Sequence, residues 1–224
     1  MTELALFDLD HTLIPFDSSQ EWGRYMMQQD MAPEGFAARL DQFQEDYVAG
    51  TLDMDAYLRY FAAPLANYSR TELDQWHERF MDAVVRPQIT AEARQLVQQH
   101  LDAGHLCGIV TATIDFVTRP IAREFGVKHL LAITLETANG QEDGAYTGGW
   151  VGIPTFREGK VTRSEMWLQD MGLNWDSFAA IHFYSDSMND LPLLRHASHP
   201  VATNPDARLK VLAEQEGWPI IQLF

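Results

Sequence analysis

An α/β fold, built on a mostly parallel sheet and interrupted early by a helical insertion, is the architecture this sequence predicts. Three observations predict it. Short apolar runs at residues 4–7, 106–110, 130–135, 179–184, 200–203 and 219–224 have the length of buried strands. Helical stretches at 92–103 and 115–125 lie between such runs, which is the alternation of βαβ units. Residues 16–86 leave that alternation and carry their apolar side chains at helical spacing instead.

The elements follow in order. The run at 4–7 ends in Asp8-Leu9-Asp10, so this strand delivers carboxylates at its carboxyl end, where open α/β sheets bind ligands. In the insertion, Ser18 and Glu21 have capping-box spacing, and Trp22, Tyr25 and Met26 share the face of the helix that follows. Pro33 suits a first helical position, ahead of Phe36, Leu40, Phe43 and Tyr47. Met54, Tyr57, Leu58, Phe61 and Leu65 mark a third helix. Leu73, Trp76, Phe80 and Val84 mark a fourth, with Thr71 placed to cap it. The aromatic stripes read as the core of a small bundle rather than a ligand cage, and the chain returns to the sheet near Arg86-Pro87. The expected division is a core of residues 1–15 and 87–224 with a helical insert of residues 16–86. Residues 133–153 hold Asn139-Gly140, Asp143-Gly144 and Gly148-Gly149 between Thr-, Tyr- and Trp-bearing runs, so a β-hairpin flap is expected there. Lys160 starts a later helix with Met166, Trp167 and Met171 near its apolar face.

With 224 residues, 46% hydrophobic and 21% charged, the chain fills an ordinary core, and disorder is excluded as its general state. Its 16 basic and 32 acidic residues give a formal charge of −16, which repels duplex nucleic acid and anionic membranes. An anionic substrate therefore needs a local positive site. The single cysteine, Cys107, excludes an intramolecular disulfide, lies in an apolar strand, and suits a reducing cytoplasm. No CxxC or Cys/His cluster suggests a structural zinc, and the eight histidines are scattered, with His196 and His199 read as surface positions. The start has no basic flank and does not read as a signal peptide, and no apolar run approaches the roughly 20 residues of a membrane span.

Two acidic loops carry the chemistry. Asp8-Leu9-Asp10-His11-Thr12 follows the first strand, and Ser185-Asp186-Ser187-Met188-Asn189-Asp190 follows the run at 179–184, at the corresponding end of another strand. Either loop alone also reads as a solvated, helix-capping pair of carboxylates. Between them, Thr111-Ala112-Thr113 ends a strand just before a helix and offers hydroxyls and N–H groups to an anion, the other reading being plain capping by Thr113. Lys160 stands near a helix N-terminus, where a cation is electrostatically disfavoured, so an anionic neighbour is expected.

In combination, Asp8-x-Asp10-x-Thr12, Thr111, Lys160 and Asp186-x-x-x-Asp190 resemble the haloacid dehalogenase-like hydrolase superfamily. The resemblance spans nearly the whole chain, with Thr111 in place of the more usual Ser and Ser185 where Gly often stands. It implies a Rossmann-like core, and the helical insert resembles the cap of the phosphoserine phosphatase branch. The stretch Phe16 to Trp22, the flap Gly144-Ala145-Tyr146-Thr147-Gly148 and Asn204-Pro205-Asp206 resemble small-molecule phosphatases of that branch, some histidinol-phosphatases among them. By this resemblance Asp8 is the nucleophile that becomes an aspartyl-phosphate, and Asp10 protonates the leaving alcohol and then activates water. Mg²⁺ would be held by Asp8, Asp186 and the backbone carbonyl of Asp10, with Asn189 and Asp190 ordering that shell from behind. Thr111, the N–H of Ala112 and Lys160 would hold the phosphate of a small-molecule ester. Crowding of the carboxylates favours a protonated Asp10. By the same resemblance Asp17, nine residues after Asp8, meets a cationic end of the substrate; it also stands where it would cap the helix that begins near Ser18. Phosphoryl transfer to another acceptor, and a non-catalytic Mg²⁺-binding switch, use the same site chemistry and remain alternatives at this stage.

Overall fold

The computed structural model describes residues 2–141 and 143–224. The elements in chain order are β1 (Leu4–Phe7), α1 (Ser18–Gln28), α2 (Phe36–Ala49), α3 (Met54–Ala62), α4 (Arg70–Phe80), α5 (Ala91–Asp102), β2 (Leu106–Ile114), α6 (Asp115–Glu124), β3 (His129–Thr137) and β4 (Tyr146–Val151). They continue as α7 (Glu158–Asp170), β5 (Ile181–Ser185), α8 (Leu191–His196), β6 (His199–Thr203), α9 (Ala207–Glu216) and β7 (Ile220–Ile221).

Among the described residues the strands form one sheet in the order β4, β3, β2, β1, β5, β6, β7, parallel throughout except where β4 runs antiparallel to β3. The order reverses at β1, which lies between β2 and β5. All four β1 side chains are fully buried, as a central parallel strand requires. Ala5 and Phe7 face the side packed by α5, α6 and the helical insert, while Leu4 and Leu6 face α7, α8 and α9. One apolar cluster thus runs from Phe7 through Val117 and Ile121 into Trp22, Phe61 and Phe80, so the insert shares a core with one face of the sheet. The flap is the β3–β4 hairpin, and it packs on the insert: Gly148 lies against Ala63, and Arg70 lies 4.2 Å over the Tyr146 ring. Among the described residues no helix is long and apolar enough to cross a membrane.

Several local expectations need correction. Ser18 does not cap α1; Asp17 does, as one of its two readings had it, its carboxylate accepting the Gln20 N–H at 2.9 Å. Pro33 lies outside α2, which begins after Gly35 turns the chain at φ 81°. Ser69, not Thr71, caps α4, in a reciprocal box with Glu72. The predicted strand at 219–224 shrinks to Ile220–Ile221, because it pairs only at the sheet edge with β6. In α7 the buried face is Lys160, Ser164 and Leu168, whereas Met166 and Met171 are exposed. A polar buried face escapes a search for apolar periodicity.

His77 joins the insert to the sheet's helices. It is buried against Trp22, Phe80 and Phe116, and its Nε2 donates to the Val117 carbonyl at 3.0 Å. Burial disfavours the imidazolium and pushes its pKa down from 6.5 to about 4. Between those values the unfolded chain binds more protons than the folded one, so this residue's stabilisation is full above pH 6.5 and is lost as the pH falls towards 4. The loss amounts to about 3 kcal/mol. Chemical denaturation at a series of pH values should show it, and His77→Gln should flatten the acid slope by about one proton; an unchanged slope would place the acid sensitivity elsewhere.

Candidate active site

Loops from the carboxyl ends of β1, β2 and β5 meet where the strand order reverses, the place at which open parallel sheets leave a crevice. The first loop closes on itself: the Leu9 carbonyl accepts N–H bonds from Thr12 and Leu13 at 3.2 and 2.8 Å, and His11 takes the left-handed conformation at φ 57°. Asn204, also left-handed at φ 46°, donates from Nδ2 to the carbonyls of His11 and Thr12, both at 3.1 Å. Asp206 caps α9 and donates its N–H to the Asp186 carbonyl at 2.8 Å. The late Asn204-Pro205-Asp206 stretch therefore braces both acidic loops.

Asp8 sits at the end of β1, nearly buried, with one oxygen 2.7 Å from Lys160 Nζ and the other 3.0 Å from Thr12 Oγ1. The Thr12 hydroxyl also lies 3.2 Å from Asp186 Oδ1 and accepts the Asp186 N–H at 3.1 Å, so one side chain sets the spacing of the two acidic loops. Lys160 projects from the first turn of α7, only 1% exposed, and its ammonium also meets Asp190 Oδ2 at 2.6 Å. Burial alone would lower its pKa, but Asp190 and Asp8 together hold it above the ordinary value. These are the anions that its place at a helix N-terminus called for. Two of its three protons are engaged by these carboxylates. The chain enters α7 through Arg157 at φ 51°, a strained junction that fixes the direction of the Lys160 stem.

Asp10 turns away from Asp8. Its oxygens accept the Ser18 N–H at 3.0 Å and lie 2.8 Å from Thr113 Oγ1, which places it at the root of the insert. Burial first, and then the negative charge of Asp17, push its pKa up to about 8, so it is mostly protonated near neutral pH. Thr113 is thereby committed to Asp10; the N-cap of α6 is Ile114, without a side-chain cap.

Pairing of β2 with β1 ends at Ile109, and its pairing with β3 is irregular between Val110 and Ile114. Residues 111–113 consequently run past the ladder and line the pocket in front of Asp8. Thr111 is buried, its hydroxyl accepting the Thr113 N–H at 3.2 Å while Thr155 holds its carbonyl at 2.6 Å.

In the third loop, Ser185 donates to Asp190 at 2.7 Å and accepts the Ser187 N–H at 3.2 Å, so its hydroxyl orients the carboxylate that backs Lys160. Burial raises the Asp190 pKa and Lys160 opposes that rise, leaving it at about 6. Asn189 points to the insert instead: it donates to the Tyr47 carbonyl at 3.0 Å and accepts from Arg157, which in turn donates to the Gly50 carbonyl at 2.6 Å.

The charges do not balance. Lys160 is shared by Asp8 and Asp190, while Asp186 is raised well above the usual carboxylate range by burial and by those same two carboxylates. Two carboxylates bridged by one hydroxyl fit a hard divalent cation such as Mg²⁺, which prefers oxygen donors. Asp8 and Asp186 offer their carboxylates, whereas the Asp10 carboxylate is committed to Ser18 and Thr113.

Over this floor the insert supplies a wall that sequence reading assigned to bundle core. Phe43, Tyr47 and Tyr57 line the pocket, with Leu40 and Met54 beside them. Asp17 lines it too, one oxygen committed to capping α1 and to Ser19 Oγ at 2.6 Å. Spacings of three and four marked the faces, yet a face beside a cavity and a face in a core have the same spacing.

A model of the haloacid dehalogenase-like hydrolase family matches residues 5–195. The histidinol-phosphatase of Neisseria meningitidis serogroup C is 42% identical over 222 residues, covering 99% of each chain. A phosphoserine phosphatase of Mycobacterium tuberculosis is 34% identical over 98% of this chain and 70% of its own length. The crystal structure of a protein of unknown function from Bordetella pertussis Tohama I superposes with a TM-score of 0.93 at 46% identity, over the whole of both chains. A family match that begins on β1 and runs past the second acidic loop, joined to a relative at 42% identity end to end, establishes that this chain belongs to the haloacid dehalogenase-like hydrolase family.

Proposed function

We propose that the protein is a Mg²⁺-dependent phosphomonoesterase that hydrolyses a small phosphorylated metabolite through a phosphorylated Asp8. The observation that carries this reading is geometric: Asp8 is fixed between Lys160 and Thr12, while Asp10 is held apart from it by Ser18 and Thr113, where burial favours its protonated form. In the first step an Asp8 oxygen attacks phosphorus, the ester P–O bond breaks, and Asp10 gives its proton to the departing alkoxide. In the second, Asp10 takes a proton from water, whose oxygen attacks the same phosphorus; the bond to Asp8 breaks and inorganic phosphate leaves. Lys160 and the backbone at Thr111 and Ala112 hold the phosphoryl oxygens through both steps. Asp8, Asp186 and the Asp10 carbonyl would hold Mg²⁺, which supplies charge neutralisation for the phosphoryl group.

Residues 16–86 act as the cap that excludes water and selects the substrate, and the core comprises 1–15 and 87–224. The ties from Asn189 and Arg157 to Tyr47 and Gly50 support a closed cap. For the substrate we favour an amino-alcohol phosphate, with histidinol phosphate ahead of phosphoserine. Asp17 offers a carboxylate for an amine, the aromatic wall suits a flat ring, and no arginine is among the described residues lining the pocket to receive a substrate carboxylate. The only cysteine, Cys107, is buried, and burial raises its pKa to about 11; we place the protein in the cytoplasm.

Asp8→Asn should abolish release of phosphate, whereas Asp10→Asn should lose ~10² to 10⁴-fold, least for esters with good leaving groups. Substantial hydrolysis by Asp8→Asn would sink the assignment. Exhaustive chelation should remove activity and Mg²⁺ restore it, with free phosphate, rather than a transferred phosphoryl group, as the product. For Asp17, kcat/KM should favour an aminoalkyl phosphate over its uncharged analogue by roughly 10 to 150-fold, the value of a contact of ~1.5 to 3 kcal/mol. Equal efficiencies, or a preference that survives Asp17→Asn, would leave Asp17 only its capping role.

A further inference from the structure

Four of the histidines that look scattered along the chain meet at the opposite end of the sheet from Asp8. His100 ends α5, His105 precedes β2, and His182 and His199 open β5 and β6. Glu3, just before β1, reaches into the same group; five residues of extended chain, roughly 16 Å, separate it from Asp8. The rings of His100, His105 and His182 form a triangle with centroid distances of 5.0, 5.0 and 6.1 Å. One nitrogen from each ring can be chosen so that all three lie within 4.8 Å of one another. His100 Nδ1 is 2.9 Å from His105 Nδ1, while Glu3 Oε2 is 2.8 Å from His182 Nε2 and 3.6 Å from His105 Nε2.

We propose that His100, His105 and His182, with Glu3 completing the set, bind a divalent transition-metal ion, Zn²⁺ above all, at a site separate from the proposed catalytic centre. In a tetrahedral site with Zn–N near 2.0 to 2.1 Å, ligand nitrogens stand about 3.4 Å apart, and the three imidazoles already offer nitrogens within 4.8 Å of one another, with the Glu3 carboxylate against two of them. Three imidazoles and one carboxylate select Zn²⁺ over Mg²⁺, which prefers oxygen donors. The tautomer is set from behind: His100 Nε2 lies 2.8 Å from the Tyr184 hydroxyl, so with Nε2 donating there Nδ1 presents its lone pair to the cluster. His105 and His182 are each 18% exposed at the side chain, enough for an ion to enter. The ligands come from α5 and from the amino ends of β1, β2 and β5, so a bound ion would clamp four elements that lie far apart in sequence.

The test is a Zn²⁺ titration of the full-length, chelator-treated protein in saturating Mg²⁺, followed by calorimetry and by melting. The wild type should bind one Zn²⁺ with a Kd at or below about 1 μM and melt at a higher temperature. His105→Ala with His182→Gln should weaken that binding at least 100-fold and remove the Tm rise, while Mg²⁺-dependent phosphate release stays within about twofold. Asp186→Asn should leave the Zn²⁺ affinity unchanged, which separates this site from the acidic one. Binding weaker than about 100 μM, binding unchanged in the double variant, or binding lost in Asp186→Asn would each overturn the proposal. Should the double variant fail to fold, the wild-type imidazole resonances decide: Zn²⁺ must shift those of His100, His105 and His182, and unshifted resonances would reject the site.

Discussion

A buried ammonium between two carboxylates organises the molecule. Lys160 belongs to α7, Asp8 to the end of β1 and Asp190 to the third loop, and the two ion pairs draw together parts of the chain up to 152 residues apart. Burying these charges is costly, and their mutual attraction offsets that cost only when geometry and hydrogen bonding are complete. Completion explains the surrounding polar residues. Thr12 takes the second oxygen of Asp8, Ser185 shares the oxygen of Asp190 that meets Lys160, and Ser164 returns its hydroxyl to the Lys160 carbonyl. Gly159 belongs to the same constraint: a Cβ there would stand 2.0 Å from the Pro154 carbonyl oxygen, so no larger residue lets α7 start where Lys160 needs it.

Backbone strain gathers around the same centre. His11, Arg157 and Asn204 are three of the five non-glycine residues with positive φ among those described, and they flank the first loop, the start of α7 and the brace behind both acidic loops. Each holds a sparsely populated conformation because neighbouring hydrogen bonds over-determine it. The rigidity has a chemical consequence. An aspartate fixed by an ammonium on one oxygen and a hydroxyl on the other has little freedom to swing, so in the reaction proposed above Asp8 would need little reorganisation before attack.

The sheet and the acidic loops were legible in the sequence because buried parallel strands appear as unbroken apolar runs and the carboxylates follow them directly. Helix starts were legible only approximately. Asp17, Ser18 and Ser19 are adjacent potential caps, and Ser69 and Thr71 stand two apart, so only the backbone angles decide among them. The buried side of α7 was misread because Lys160 and Ser164 are buried by ion pairing and hydrogen bonding, which leave no trace in hydrophobic period. Phe43, Tyr47 and Tyr57 could not be told from core, since a pocket wall and a core face share one spacing. The histidine cluster was invisible for another reason: sequence separations of up to 82 residues close only once β5 lies beside β1 and β1 beside β2.

Charge then constrains how the crevice is used. Asp8, Asp10, Asp17, Asp186 and Asp190 converge on a chain whose formal charge is already −16, and a single lysine stands among them. A phosphate dianion meets that field unfavourably unless one carboxylate stays protonated and a cation accompanies it. The position of Asp10 satisfies the first condition, since it is turned from Lys160 towards Asp17, where burial and a like charge both favour its proton. Asp186 and Asp8 satisfy the second by leaving oxygens that Lys160 alone cannot neutralise. Asp17 lies on the insert side of the pocket, where no cation pairs with it among the described residues, so in the proposed reading the far end of the ester would meet negative potential there, and an ammonium is the group that such a position best receives.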